Sequence, residues 1–172
     1  MRRLIRLLIT GIVTLPLLFS GAAMAATPRI ICQHCLQNQS GSPRLNLGID
    51  GSDQGILFTP DGGNGQNWDI VKASDGNYVI YNTGTSNILV RDTGCTSNGG
   101  SYKYCVQIIA DPGSGRPLAD QWKELQTNPY IFENADSGSR CLDNPGGNAP
   151  SGSRAVLYPC STSDAAQKWQ GG

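Results

Sequence analysis

The stretch CLDNPGGNAPSGSRAVLYPCSTSDAAQKW, residues 141–169, carries the features that decide the fold of the chain. It opens with Cys141-Leu142-Asp143 and a glycine-rich loop, and it continues into an apolar run that ends at Cys160. It closes with Gln167-Lys168-Trp169, where a bulky aromatic side chain suited to a buried core follows two polar residues. Short apolar runs separated by glycine and proline turns predict β-structure here.

Two earlier parts of the chain repeat the closing motif. Gln66-Asn67-Trp68 has the same Gln-x-Trp pattern, and Asp120-Gln121-Trp122 keeps the tryptophan but has aspartate in the glutamine position. The three tryptophans of the chain therefore recur at intervals of roughly 50 residues, each behind an apolar run. This pattern predicts three repeats, approximately residues 26–73, 74–126 and 127–172.

The composition favours an all-β fold. There are 22 glycines and 10 prolines, and no long segment has the 3.6-residue period of an amphipathic helix. In the first repeat, Asn38 and Leu45 are the expected counterparts of Asn134 and Cys141. Repeats of this size cannot each bury an apolar face alone, so we predict that three of them share one core as a β-trefoil. The predicted strands are residues 55–58, 78–81, 106–109, 130–132 and 155–158.

These features resemble the repeats of the ricin B-chain lectin family. Such repeats run Cys-Leu-Asp, a glycine-rich loop, an apolar-aromatic strand ending in Cys, and then Gln-x-Trp; the stretch from Cys141 to Trp169 has them in that order. The resemblance implies a secreted carbohydrate-binding module with a β-trefoil fold. The residues that it implies for the carbohydrate site are Asp143, Tyr158, Gln167, Val156 and Asn148.

The implied roles suit the chemistry of a pyranose, which offers a face of C–H bonds and a rim of hydroxyl groups. In the family an aspartate accepts hydrogen bonds from the hydroxyls and an aromatic ring stacks under the sugar, which assigns Asp143 and Tyr158. Gln167 would orient Asp143 or bond backbone across the hairpin. The family's asparagine before the glutamine is replaced by Ala166, so one polar clamp is missing. A galactose-type sugar is the expected ligand, and neither a cofactor nor a metal is implied.

The other two repeats depart further from the family pattern. In the second, Val90 stands at the aspartate position, Ile109 at the aromatic position and Ala119 at the asparagine position, so we expect no sugar site there. In the first repeat the corresponding positions are Leu47-Gly48 with Asp50 nearby, Phe58 and Gly65. The resemblance therefore implies one partly intact pocket at most.

The first 25 residues have the pattern of a secretory signal peptide. Three arginines precede the apolar run 7–19, and Ala23-Met24-Ala25 is a small-x-small cleavage pattern, so the mature domain is expected to span residues 26–172. Losing these arginines leaves ten basic against 13 acidic residues, about −3 overall, with no stripe of Lys and Arg. This balance argues against a nucleic-acid partner. No second apolar span follows, so we expect a secreted or periplasmic protein without membrane insertion.

All six cysteines lie in the exported part, which predicts three disulfides. Sequence spacing favours local pairing but leaves other pairings open. Cys32-Gln33-His34-Cys35 also fits a redox pair or half of a zinc site, yet His34 is the only histidine and no helix is predicted there, so a structural bridge is favoured. The local pairs are Cys32 with Cys35, Cys95 with Cys105, and Cys141 with Cys160.

Two functional hypotheses remain open. The first is a stand-alone glycan-binding lectin module without enzymatic activity, because no nucleophile-base pair or cleft with paired carboxylates is evident. The second is a protein-interaction or cell-binding delivery subunit of a bacterial toxin, similar to the lectin-like subunits of cytolethal distending toxins. Residues 93–105 are predicted to form a disulfide-bridged hairpin loop, with Tyr102 and Tyr104 near its tip either as a binding surface or as cover for its base.

Overall fold

A computed structural model describes residues 29–32 and 35–171 of the chain. Within these residues the regular elements are β-strands and short 3₁₀ turns, which confirms the all-β class, and no helix there is long and apolar enough to cross a membrane. The predicted signal peptide lies outside the described residues. The strands are β1 (Arg29–Cys32), β2 (Cys35–Asn38), β3 (Asn46–Ile49), β4 (Gly55–Phe58), β5 (Trp68–Lys72), β6 (Tyr78–Asn82), β7 (Ile88–Ser97), β8 (Gly100–Ile109), β9 (Trp122–Gln126), β10 (Ile131–Asn134), β11 (Arg140–Asp143), β12 (Ser153–Arg154), β13 (Val156–Pro159) and β14 (Trp169–Gly171). The 3₁₀ turns are Asn64–Gln66, Leu118–Asp120, Pro145–Gly147 and Ala165–Gln167.

The strands are connected as three similar units. The last strand of each unit pairs antiparallel with the first strand of the next: β5 with β6, β9 with β10, and β14 back onto β2. Between these strands each unit carries an antiparallel hairpin, formed by β3 and β4, by β7 and β8, and by β11 and β13. Strand pairing between successive units, with the last unit paired back onto the first, closes a ring that carries three hairpins. This arrangement is the β-trefoil that the repeats predict.

The three tryptophans hold equivalent places in the core. All are fully buried, and each indole Nε1–H donates to the backbone carbonyl of a leucine in its own unit. Because burying an indole leaves its N–H in need of an acceptor, this bond fixes the ring against the hairpin. The three pairs are Trp68 with Leu47 at 2.7 Å, Trp122 with Leu89 at 2.9 Å, and Trp169 with Leu142 at 3.0 Å.

These bonds also fix the alignment of the repeats. Leu47 is equivalent to Leu142, so Asn46 rather than Leu45 corresponds to Cys141. The strand register agrees, because Asn46 pairs with Phe58 as Cys141 pairs with Tyr158. The expected match of Leu45 with Cys141 was therefore wrong by one residue. The reason is that Asn46 lies eight positions after Asn38, whereas Cys141 lies seven positions after Asn134.

A buried asparagine ends the first strand of every unit. The Asn134 side-chain amide donates to the carbonyl of Ala119 at 2.8 Å and to that of Gln121 at 3.2 Å. Asn38 and Asn82 make the same kind of bond to the backbone around the other 3₁₀ turns. The predicted equivalence of Asn38 and Asn134 is therefore confirmed. Because the three asparagines are fully buried, their side-chain amides need acceptors, and these carbonyls supply them.

We expect Asn134→Ala to lower the free energy of unfolding by about 1–3 kcal/mol, since buried carbonyls lose their donor. Urea denaturation followed by tryptophan fluorescence measures this loss. Asn64→Ala, which truncates an exposed asparagine on another turn, is the matched control and should change stability by no more than about 0.5 kcal/mol. Equal effects of the two substitutions would contradict the capping role.

Two of the three predicted disulfides fall on described side chains and are confirmed. Cys95–Cys105 crosses the second hairpin, with the two Cα atoms 6.0 Å apart. Cys141–Cys160 ties β11 to the residue that follows β13, with a Cα separation of 5.0 Å. The side chains of Cys32 and Cys35 lie outside the described part, so their pairing stays a prediction.

The second hairpin differs from the other two in length. β7 and β8 have ten residues each, whereas β3, β4, β11 and β13 have four. The predicted loop at residues 93–105 is therefore a hairpin whose strands continue to its tip. The turn is Asn98-Gly99, with φ of 45° and 75°, and a two-residue turn with both φ values positive matches the twist of antiparallel strands.

Candidate functional site

A cavity of about 330 Å³ opens beside the hairpin of the third repeat. Asp143 ends β11 and Tyr158 lies on β13, so the hairpin brings the two side chains to one site although 14 residues separate them. The volume falls near the lower end for small-ligand sites. The cavity is lined by Tyr102, Asp143, Gly146, Gly147, Tyr158, Asp164 and Ala166.

Asp143 is a buried carboxyl group, 3% exposed, at the base of the cavity. The Gln167 side-chain amide donates to Asp143 Oδ2 at 3.0 Å and also to the carbonyl of Pro159 at 2.9 Å. Gln167 Oε1 in turn accepts from the backbone N–H of Ser161 at 2.8 Å. Gln167 therefore holds Asp143 in one orientation and bonds the backbone at the same time.

Burial raises the pKa of Asp143 to about 7, with the hydrogen bond from Gln167 acting in the opposite direction and the Asp164 charge adding to the increase. The ionised form of a carboxyl group buried in this way lowers the stability of the folded protein near neutral pH. Such groups are found preferentially at functional sites.

Tyr158 supplies the aromatic surface of the site. The residue is 51% exposed, so its ring is available to a ligand. The Tyr102 ring meets it edge to face, with centroids 6.4 Å apart and an angle of 71° between the planes. A flat apolar ring beside a fixed carboxylate can hold a molecule that has a C–H face and a hydroxyl rim.

Two residues that line the cavity, Tyr102 and Asp164, were not expected there from the sequence, although Tyr102 was expected near a hairpin tip. Tyr102 comes from the long hairpin of the second repeat, which no periodicity within the third repeat could reveal. Asp164 accepts a hydrogen bond from the backbone N–H of Ala166 at 2.9 Å and places a second carboxylate at the wall. Its position just before Ala165-Ala166-Gln167, where an acidic residue caps a turn, was the available signal.

The other two expected site residues lie away from the cavity. Val156 is opposite Asp143 on the neighbouring strand, but its side chain is fully buried and does not line the opening. Asn148 is exposed and lines a separate cavity with Ser42 and Asn144. The structure therefore brings together Asp143, Tyr158 and Gln167, but neither Val156 nor Asn148.

The equivalent places in the first two repeats are filled. In the first, a Cβ atom at Gly48 would lie only 2.8 Å from the Phe58 ring, so that ring occupies the space of the aspartate side chain. In the second, Val90 is buried in a small apolar cluster against which Ile109 packs. Neither place presents a buried carboxylate beside an exposed aromatic ring.

Over the residues that the structure describes, no three His, Cys, Asp or Glu side chains are grouped to hold a metal ion. The most strongly paired charges lie in the second repeat, where Arg116 Nε donates to Asp111 Oδ1 at 2.7 Å. This bond lowers the pKa of Asp111 to about 2, although burial acts against it. The pair also contacts Tyr81 and is satisfied internally, which is typical of a structural cluster.

The sequence matches no family model and no curated protein, whereas solved structures show clear similarity. A ricin B-like lectin of Macrolepiota procera in complex with lactose superposes with a TM-score of 0.55 and 15% identity, over 78% of this chain and 91% of that chain. The Haemophilus ducreyi cytolethal distending toxin superposes with a TM-score of 0.55 and 15% identity, over 79% of this chain and 81% of that chain. A mosquitocidal holotoxin superposes with a TM-score of 0.60 and 22% identity, over 82% of this chain but only 17% of that longer chain. The chain has the ricin B-type β-trefoil fold.

Proposed function

We propose that the protein is a glycan-binding module with a single sugar pocket, formed by the third repeat. The observation that carries the proposal is the juxtaposition of Asp143, fixed by Gln167, with the exposed ring of Tyr158. A galactose-type sugar is the first candidate, because its C–H face would stack on the tyrosine while its hydroxyls donate to the carboxylate. Binding alone, without catalysis, is the activity that this pocket supports.

Asp164 supports the pocket where the family's asparagine is missing. Ala166 offers no polar side chain, but the Asp164 carboxylate lines the same wall. We infer that it accepts a second hydroxyl bond. A small pocket with few contacts has little to offset the ordering of its ligand, so we expect weak affinity for a monosaccharide.

Replacing Tyr158 with alanine is expected to weaken sugar binding about fivefold or more, since a stacking surface worth on the order of 1 kcal/mol or more is lost. Because Tyr158 is exposed, the fold should persist. A glycan array probed with the tagged mature protein, followed by calorimetric titration of the best ligand, provides the test. Leu118→Ala removes another exposed apolar side chain, 52% exposed and outside the pocket, and should leave binding unchanged. If wild type binds no glycan, or both variants bind alike, the proposal fails.

A second candidate is a cell-binding or protein-interaction subunit of an exported toxin. Two of the three sugar positions are filled by Phe58 and by the cluster around Val90, which fits a trefoil adapted to contacts with a protein. Similarity to the cytolethal distending toxin structure supports the same idea at the level of fold. Stable co-purification with an exported toxic enzyme from the native cells would favour this candidate, whereas recovery of the protein from those cells as a monomer without a partner would exclude it.

We also propose that the chain is exported and that its leader is removed before Ala26. The two disulfides of the described residues support an oxidising compartment. Sequencing the N-terminus of the exported protein tests this proposal, and an N-terminus that retains residues 1–25 would contradict it.

A further inference from the structure

The long hairpin of β7 and β8 extends beyond what a trefoil repeat requires. Its outer part, from Thr93 to Tyr104, has no counterpart in the four-residue strands of the other hairpins. A two-stranded extension is marginal by itself in water, so its conformation depends on what it contacts. Those contacts are with the third repeat.

Four interactions fix the extension in place. Asn98, at its tip, donates to the carbonyl of Pro145 at 3.1 Å, in the loop that borders the sugar pocket. Ser97 donates to the carbonyl of Arg154 at 2.6 Å, and the Arg154 guanidinium donates to Asp92 Oδ2 at 2.9 Å. The Cys95–Cys105 disulfide braces the two strands. The hairpin is therefore a fixed wall beside the third repeat.

An open groove of about 1190 Å³ lies along this wall. Its volume is more than three times that of the sugar pocket, which measures about 330 Å³. Tyr102 lines both, so the groove and the pocket are neighbours on either side of this residue. Much of the remaining lining is polar and includes Asp50, Gln54, Ser97, Ser101 and Arg154.

The two charged side chains that line the groove, Asp50 and Arg154, each make hydrogen bonds within the protein, and Arg154 Nε, which has no hydrogen-bond partner, is buried. The Arg154 guanidinium bonds Asp92, and Asp50 Oδ1 accepts from the backbone N–H groups of Ser52 and Gln54, both at 2.9 Å. What the groove offers to a ligand is mainly hydroxyl, amide and backbone groups. Such a surface suits a neutral chain of hydroxyl groups better than a sulfated or otherwise polyanionic one.

We propose that this groove is a second subsite, which binds the further residues of a neutral oligosaccharide whose terminal sugar occupies the pocket at Tyr158. The inference rests on the proposed function and adds to it the class of ligand. Tyr102 contacts the oligosaccharide where it passes from the pocket to the groove. Specificity for an oligosaccharide rather than a single sugar then depends in part on the second repeat, although that repeat has no sugar pocket of its own.

Titrations with galactose and with neutral tri- to pentasaccharides that end in galactose test the inference. Wild type is expected to bind the best oligosaccharide at least about tenfold more tightly than galactose. Ser101→Trp, at an exposed position that lines only the groove, should abolish this gain and leave galactose affinity unchanged. Thr93→Trp, at an exposed position on the same hairpin outside the groove, should retain the gain.

The outcomes separate the two proposals. Equal affinity for galactose and the oligosaccharides, or a gain that survives in Ser101→Trp, overturns the subsite while leaving the pocket intact. If the wild-type protein binds neither galactose nor any of the oligosaccharides, both the proposed function and the subsite are overturned. Should Ser101→Trp fail to fold, Gln54→Ala replaces it, because this change only truncates a half-buried side chain at the groove and must reduce the gain.

Discussion

Asp143→Asn is expected to stabilise the protein above pH 7 and, at the same time, to weaken sugar binding at least about tenfold. Burial raises the pKa of Asp143 to about 7 from an ordinary value of 3.8, which corresponds to roughly 4 kcal/mol between the two protonation states. Asparagine has nearly the same shape, carries no charge and can still accept the hydrogen bond from Gln167. We expect the free energy of unfolding to rise by about 1–3 kcal/mol at pH 8. Sugar binding should lose about 1–3 kcal/mol, because a hydrogen bond to a charged acceptor is lost.

The pH dependence of stability gives this prediction its sign. The folded state holds the Asp143 proton more tightly than the unfolded state. The stability that the protonated carboxyl contributes is therefore fully present below pH 3.8 and is lost as the pH rises through about 7. Urea unfolding at pH 5 and pH 8 should show this decline in wild type and a smaller one in Asp143→Asn. Asp53→Asn, a change at an exposed aspartate, should keep the decline of wild type. A variant less stable than wild type at pH 8 would contradict the account.

Trp122→Ala is expected to lower the free energy of unfolding by about 3–5 kcal/mol, the range for emptying a core site of this size. The indole is fully buried, and its N–H donates to the Leu89 carbonyl inside the second repeat. Since small domains have a total stability of about 5–15 kcal/mol, this variant should be near the limit of folding. Chemical denaturation followed by circular dichroism measures the loss.

The same variant separates folding from binding. Trp122 has no contact with the cavity of the third repeat, so the fraction of Trp122→Ala that remains folded should bind glycan with wild-type affinity. Trp122→Phe, which keeps a ring but loses the N–H, should have intermediate stability. A loss below about 1 kcal/mol for Trp122→Ala would show that the three tryptophans are not equivalent core residues.

The fold was predictable because its determinants recur. Each repeat needs a tryptophan beneath its hairpin, a leucine carbonyl to accept the indole N–H and an asparagine to cap the 3₁₀ turn, and these recur in the sequence. Register was less predictable. The first repeat has no cysteine at the position of Asn46, so loop length alone could not fix its alignment.

The site was predictable where strand register places the side chains. Asp143 and Tyr158 stand on paired strands, and the Gln167 position is fixed by the turn before Trp169. The position of Asn148 outside the cavity was not predictable, because it follows Gly146 and Gly147, which both adopt positive φ values, 72° and 73°, that the sequence pattern does not specify.

Contacts between repeats were beyond the reach of repeat comparison. Tyr102 approaches Tyr158 only because the hairpin of the second repeat is long and its tip bonds Pro145. In the proposed function, a single pocket extended by a groove lets a trefoil with two filled sites select a ligand. The usual alternative, repeated weak sites acting together, would need several copies of the protein.

A crystal structure of the protein with the glycan that binds best on the array tests the central claim most directly. The account predicts a sugar ring stacked on Tyr158, with a hydroxyl group within hydrogen-bond distance of Asp143. A glycan seated elsewhere on the molecule, with Tyr158 and Asp143 in contact only with solvent, would contradict it.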